Sequence, residues 1–210
     1  MSLEFIQLPP KTGKAPKGLI VALHGWGANA EDLASLAPYL NLTDYQFVFP
    51  NAPFSHPHSP MGRAWYQLSA DNMYEGLTQS RQLLTDWLLS LENRTGIPLS
   101  QTILSGFSQG GAMTLDIGLK LPFAGLVVMS GYLHPGAIET SLATSLAPVL
   151  ITHGRYDQVV PLRAALNAKE TLESRGIAVQ YYEFDMGHEI QLPILELIRN
   201  FVINTQVTTE

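Results

Sequence analysis

Short, uninterrupted apolar runs alternate along this chain with longer segments in which apolar positions recur every three or four residues. Leu19-Ile20-Val21-Ala22-Leu23, Phe47-Val48-Phe49, Thr102-Ile103-Leu104, Leu126-Val127-Val128-Met129 and Val149-Leu150-Ile151-Thr152 contain almost no polar position. Such runs predict strands buried on both faces. Leu3 to Leu8 predicts an opening strand, and Val179 to Phe184 a closing one. Glu75 to Arg94 carries Leu77, Leu83, Leu84, Trp87, Leu88 and Leu91 at the helical period. Further helices are predicted at Glu31 to Tyr39, Gln109 to Lys120 ahead of Pro122, Pro161 to Arg175 and Leu192 to Ile203. The alternation predicts an α/β fold: a doubly wound, mostly parallel sheet flanked by helices, with residues 1–210 forming one domain. Asn51 to Met73, rich in proline, histidine and serine, breaks the pattern and predicts a long irregular loop.

Composition narrows the partners. With 210 residues, 46% hydrophobic and 14% charged, the chain can bury one sizeable core. The net charge is −6, and the one basic grouping, Lys11, Lys14 and Lys17, sits among Pro9, Pro10, Gly13 and Pro16 as a solvated loop, so no nucleic-acid partner is expected. The absence of cysteine excludes disulfides, thiolate metal sites and a cysteine nucleophile. No apolar run reaches membrane-spanning length, and Met1-Ser2-Leu3-Glu4 lacks the basic and apolar regions of a signal peptide, so a soluble, cytoplasmic protein without stable membrane insertion is expected.

In a doubly wound sheet, ligands bind beyond the carboxyl ends of the strands. Three residues suited to acyl transfer fall there. Gly106-Phe107-Ser108-Gln109-Gly110 follows one strand and opens a helix, the order of a nucleophile elbow. Asp157 follows the Val149 strand, and His188 the Val179 strand. A serine hydroxyl is a weak nucleophile at neutral pH, so a neutral imidazole must take its proton during attack and return it to the leaving group. His188 is assigned that work. Asp157 is assigned to orient the imidazole and balance its transient charge. Asp185 is the rival, but three residues before His188 at the end of the same strand it is badly placed to reach the far side of the ring. The oxyanion needs fixed donors. Backbone N–H groups of Gln109, at the start of the elbow helix, and of Trp26, in Leu23-His24-Gly25-Trp26-Gly27, are the candidates. His24 is read as ordering that loop.

Leu23-His24-Gly25-Trp26-Gly27, Arg63-Ala64-Trp65-Tyr66, Gly106-Phe107-Ser108-Gln109-Gly110-Gly111, Ser130-Gly131-Tyr132-Leu133, His153 to Pro161 and Gly187-His188-Glu189 occur in this order. By these blocks the chain resembles the small carboxylesterase and acyl-protein thioesterase family of α/β-hydrolases, also called the phospholipase/carboxylesterase family. The resemblance implies a serine hydrolase that cleaves carboxylic esters of short to medium acyl chains through an acyl-enzyme, with acyl thioesters open as substrates and with no metal or organic cofactor. By the same matching, Ser108, Asp157 and His188 form a triad, and Trp26 and Gln109 the oxyanion hole. The substrate is a small molecule, a lipid or an acylated protein, and a homodimer is compatible with the sequence. The alternatives are a thioesterase or lysophospholipase acting on long acyl chains, and a non-catalytic hydrolase-fold binding protein.

Family members commonly carry a smaller aliphatic residue at Trp26 and an acidic residue shortly after it, where this chain has Ala28 and Asn29. The departure bears on the shape of the acyl pocket. Gly131 to Ala147 is too short for a lid domain, so an open cleft is expected. Trp65 and Tyr66 either line an acyl groove or anchor their loop. His56 and His58 flank Pro57 with no further clustered ligand, which argues against zinc.

Overall fold

A computed structural model describes residues 3–135, 137 and 146–207. In chain order the elements are β1 (Phe5–Leu8), β2 (Leu19–Leu23), α1 (Ala30–Ala34), α2 (Ala37–Leu40), β3 (Gln46–Pro50), β4 (Phe54–His56), β5 (Ser59–Ala64), α3 (Leu77–Thr95), β6 (Thr102–Phe107), α4 (Gln109–Gly118), β7 (Gly125–Met129), β8 (Val149–Gly154), α5 (Leu162–Ser174), β9 (Val179–Phe184) and α6 (Leu192–Val207). Seven strands form one sheet in the order β1-β3-β2-β6-β7-β8-β9. All neighbours are parallel except β1, which runs antiparallel to β3 with Phe5 opposite Pro50.

The apolar strands are buried on both sides because side chains alternate between two cores. Leu19, Val21, Leu104, Val128 and Ile151 face a core that includes Leu84 and Leu88 of α3 and Ala168 and Leu172 of α5. Ile20, Ile103, Val127 and Leu150 face the other, with Leu33 of α1 and Ile194, Ile198 and Phe201 of α6. This is the α/β-hydrolase arrangement, a mostly parallel sheet between two helical layers.

The strand order places a crevice where the site is expected. From β2 the chain moves outward to β3, then returns to lay β6 on the other side of β2, and continues outward to β7 and β8. The reversal makes the carboxyl ends of β2 and β6 a switch point. Leu23 stands opposite Gly106 at that edge, so the His24 loop and the Ser108 elbow leave the sheet side by side.

Two elements differ from expectation. The single helix expected over Glu31 to Tyr39 is two short ones, α1 and α2. Asn29 caps α1 with its side chain, and the Asp32 carboxylate accepts the Asn29 N–H to complete a capping box. Pro38, which has no N–H to donate into a helix interior, sits instead in the first turn of α2. The Asn51 to Met73 stretch, expected to be irregular, contains the β4–β5 hairpin and a 3₁₀ turn at Ala70–Asn72. Its strands are short, the register shifts between Ser55 and His56, and most positions are at least partly exposed, so no apolar alternation marks them. The lid-free stretch expected at Gly131 to Ala147 lies largely outside the described residues.

Candidate active site

Ser108 stands between β6 and α4 with φ 54° and ψ −117°, a conformation that L-residues rarely adopt. Its N–H donates to the Met129 carbonyl at 2.8 Å, which holds the turn against β7. The glycines two residues away on each side are required by space. A Cβ on Gly106 would stand 2.2 Å from the Gly110 carbonyl oxygen, and one on Gly110 would stand 2.1 Å from that of Leu23. Strand, turn and helix therefore close on one another only with no side chain at either position.

Asp157 and His188 are brought together across two loops. Asp157 Oδ2 lies 2.7 Å from His188 Nδ1, while Oδ1 accepts the N–H groups of Val159 at 2.9 Å and Val160 at 2.8 Å. Burial raises the Asp157 carboxyl, but the hydrogen bonds from His188 and the two amides outweigh it and hold it below the usual carboxylate range. Below this pair, His153 Nε2 donates to the Val160 carbonyl at 2.8 Å and lies 3.5 Å from Asp157 Oδ2. Asp185 turns away: its Oδ1 is 2.7 Å from Arg155 Nη1, and its side chain is largely exposed. The His188 ring packs on Phe107, the residue before Ser108, with centroids 4.7 Å apart. Among the described residues, the Ser108 hydroxyl is not hydrogen-bonded to the imidazole. Such contacts are often long before substrate arrives.

The His24 loop backs onto the elbow. A Cβ on Gly25 would meet Ser108 Cβ at 3.4 Å. The Gly27 N–H donates to the Arg63 carbonyl at 2.9 Å and the Ala28 N–H to that of Gly25 at 3.3 Å, so both amides are committed to holding the loop. His24 is fully buried. Its Nε2 accepts the Ala52 N–H at 3.0 Å, which leaves Nδ1 to donate to the Gly25 carbonyl at 2.8 Å. Burial lowers its pKa to about 4. The ring is a neutral brace between loops. Gln109 begins α4, where amides have no intrahelical partner and the dipole favours an anion.

The Gln109 side chain has a second task that the sequence reading missed. Fully buried, it accepts the Trp65 N–H through Oε1 and donates to the Tyr66 carbonyl through Nε2, both at 2.8 Å. It ties the elbow helix to the long loop as a backbone strand would. Trp65 and Tyr66 are themselves fully buried and do not line a groove. Trp65 Nε1 donates to the His24 carbonyl at 3.0 Å, and Ser80 Oγ donates to the Trp65 carbonyl. An aromatic pair of large area and few polar atoms is more stable inside, provided the indole N–H finds an acceptor. These two do anchor their loop.

One depression reaches the elbow and another lies on the far side of Trp26. The first, of about 390 Å³, is lined by Leu68, Tyr74, Ser108, Tyr132, Val159 and Val160 among others. The other, of about 520 Å³, lies beyond Trp26, whose ring packs edge-on against His56 with centroids 4.2 Å apart. Groups of three or more histidine, cysteine or acidic residues able to hold a metal are absent among the described residues.

A buried polar string behind the first cleft also went unread. Tyr132 OH lies 2.6 Å from Tyr66 OH, Tyr66 OH 2.7 Å from His134 Nε2, and His134 Nδ1 2.9 Å from Asp116 Oδ2. Arg81 Nε and Lys120 Nζ complete the carboxylate at 2.5 and 3.0 Å. The available signal was Asp116, a lone charge in α4, whose residues are all buried.

The chain resembles known proteins along most of its length. A family model described as phospholipase/carboxylesterase matches residues 8–206. Acyl-protein thioesterase 1 of Neurospora crassa is 29% identical over 199 residues, covering 85% of this chain and 80% of that one. A probable carboxylesterase of Oryza sativa is 28% identical over 206 residues, covering 90% and 77%. The crystal structure of esterase PE8 superposes with a TM-score of 0.90 at 32% identity, covering 98% of this chain and all of that one. No helix among the described residues is long and apolar enough to cross a membrane. The elbow, the sheet order and the family match from residue 8 to 206 lead to one conclusion: the chain belongs to the phospholipase/carboxylesterase family of α/β-hydrolases.

Proposed function

We propose that this enzyme is a serine hydrolase that cleaves carboxylic esters of short to medium acyl groups, and acyl thioesters, through an acyl-enzyme on Ser108. The observation that supports this most is the 2.7 Å contact between His188 Nδ1 and Asp157 Oδ2 at the sheet edge that carries Ser108. With Nδ1 bonded to the carboxylate, the neutral imidazole presents Nε2 as a base. Nε2 takes the Ser108 proton as Oγ attacks the carbonyl carbon. The oxygen that becomes negative is held by the N–H groups of Trp26 and Gln109. Collapse of the tetrahedral intermediate expels the alcohol or thiol, protonated by His188, and leaves the acyl group on Ser108. Water then repeats the attack with His188 as base, releasing the acid and restoring the serine.

The relatives named acyl-protein thioesterase bring thioesters into the proposal, and esterase PE8 brings esters. The cleft of about 390 Å³ beside Ser108, lined mostly by apolar side chains, suits a modest acyl group. Labelling with a serine-reactive fluorophosphonate tests the mechanism. One equivalent should attach to wild type and none to Ser108→Ala. A folded wild-type protein that takes no label, or ester hydrolysis undiminished in Ser108→Ala, would overturn it. Turnover across esters of rising chain length, beside an acylated peptide, separates short esters from long-chain lipid or protein substrates.

A further inference from the structure

The string from Asp116 to Tyr132 ends at the wall of the cleft that contains Ser108, and its hydrogen bonds have a direction. Arg81 and Lys120 each donate to Asp116, so His134 Nδ1 donates to it as well. Burial opposes ionisation of Asp116, yet the hydrogen bonds from His134, Arg81 and Lys120 hold its carboxyl well below the usual range. Arg81 and Lys120 already bring two cations to the single Asp116 carboxylate, so an imidazole that donates from Nδ1 without carrying charge avoids placing a third cation there. With its proton on Nδ1, that ring offers Nε2 as an acceptor. Tyr66 OH must then donate to Nε2, and the Tyr66 oxygen must accept the proton of Tyr132. Burial raises both phenols, Tyr132 to about 12, so neither loses its proton near neutral pH.

What remains at Tyr132 is an oxygen whose proton is already used and whose lone pairs are free to accept. Tyr66 and His134 are fully buried and fixed by packing, with ring centroids 5.0 Å apart, so the oxygen is held in place. Tyr132 itself is half-buried and lines the cleft with Ser108. Just before it, at the end of β7, Ser130 takes a left-handed backbone conformation with φ 48°. We propose that the Tyr132 hydroxyl is a specificity contact that accepts a hydrogen bond from the substrate, and that the preferred ester or thioester carries a hydroxyl or amide N–H donor near its scissile carbonyl. Tyr66, His134 and Asp116 are positioning residues that fix the polarity of that contact. A purely apolar wall would favour a methyl group at this place; a fixed acceptor favours a donor, because a bound substrate lacking one covers the Tyr132 lone pairs without meeting them. The inference rests on the serine hydrolase reading.

The test uses pairs of ethyl esters that differ only at a donor: 2-hydroxypropanoate against 2-methylpropanoate, 3-hydroxybutanoate against 3-methylbutanoate, and N-acetylglycinate against 4-oxopentanoate. A fourth pair, 2-hydroxyethyl against propyl butanoate, samples the leaving group. The readout is the ratio of kcat/KM within each pair. Wild type should process the donor member of at least one pair at least as fast as its isostere, and in Tyr132→Phe that ratio should fall about tenfold. Tyr66→Phe, which frees the Tyr132 proton, should lower the same ratio. A structural role alone would slow both members equally, so ratios unchanged in Tyr132→Phe overturn the inference. So does a wild type that prefers the isostere in every pair, a result needing no variant. If wild type hydrolyses no ester at all, it is the serine hydrolase reading that fails.

Discussion

His188 and Asp157 meet through a 2.7 Å contact, and the carboxylate that makes it has its other oxygen occupied by the Val159 and Val160 amides. Asp157 is thus fixed before His188 reaches it. Asp157→Asn keeps the shape but offers an amide that can present the wrong partner to Nδ1, so kcat should fall about ten-thousand-fold with little change in melting temperature. Asp185→Asn, which loses only an exposed pairing with Arg155, should change kcat less than about threefold. Equal losses in the two variants would mean that the acid has been misassigned.

Gln109→Leu should cost stability as well as activity. It leaves the Trp65 N–H and the Tyr66 carbonyl buried without partners, at about 1–3 kcal/mol each, which for a protein of this size is roughly 5–15 °C in Tm. Calorimetry measures the shift, and Trp65 emission should move to longer wavelength as its loop loosens. A Tm within about 2 °C of wild type would show that the side-chain bridge is dispensable.

Three glycine-to-alanine changes should separate sharply. In Gly106→Ala and Gly110→Ala the new methyl meets backbone oxygen at 2.2 and 2.1 Å, and neither neighbour can give way without moving β2, β6 or α4. Both variants should express as insoluble protein or melt far below wild type. Gly187→Ala meets nothing within 4 Å and should melt within about 2 °C of wild type.

Acid should destabilise the fold through His24. The folded pKa of about 4 lies below the ordinary imidazole value of 6.5, so the unfolded chain binds the proton first. The contribution is fully present above pH 6.5, is lost as pH falls towards 4, and is level below that. A gap of this size corresponds to about 3 kcal/mol. Urea midpoints between pH 7 and 4 should decline in wild type and decline less in His24→Gln, which keeps a donor and an acceptor but cannot titrate. Parallel curves would remove His24 as the cause.

The sequence was most informative where burial is two-sided. β2 coincides with the apolar run read for it and β7 extends its run by one residue, because a strand between two helical layers has no polar position to blur its ends. Chemistry at strand ends was legible for the same reason: fixing the strands fixed where Ser108, Asp157 and His188 emerge. The β4–β5 hairpin was not, since its partly exposed positions carry no alternation. Trp65 and Tyr66 could be read as facing either way, because an aromatic pair does not reveal its direction until an acceptor such as the His24 carbonyl is located. The Asp116 to Tyr132 string joins residues up to 68 positions apart and leaves no local pattern beyond one misplaced charge.

The backbone at Ser108 is strained. At φ 54° and ψ −117° the position suits glycine better than any residue with a side chain, and holding a serine there costs about 1–3 kcal/mol. Ser108→Gly should therefore be inactive and yet melt higher than wild type, whereas Ser108→Ala keeps the strain and gains little. Selection for durability alone would remove the serine; its presence records selection for turnover.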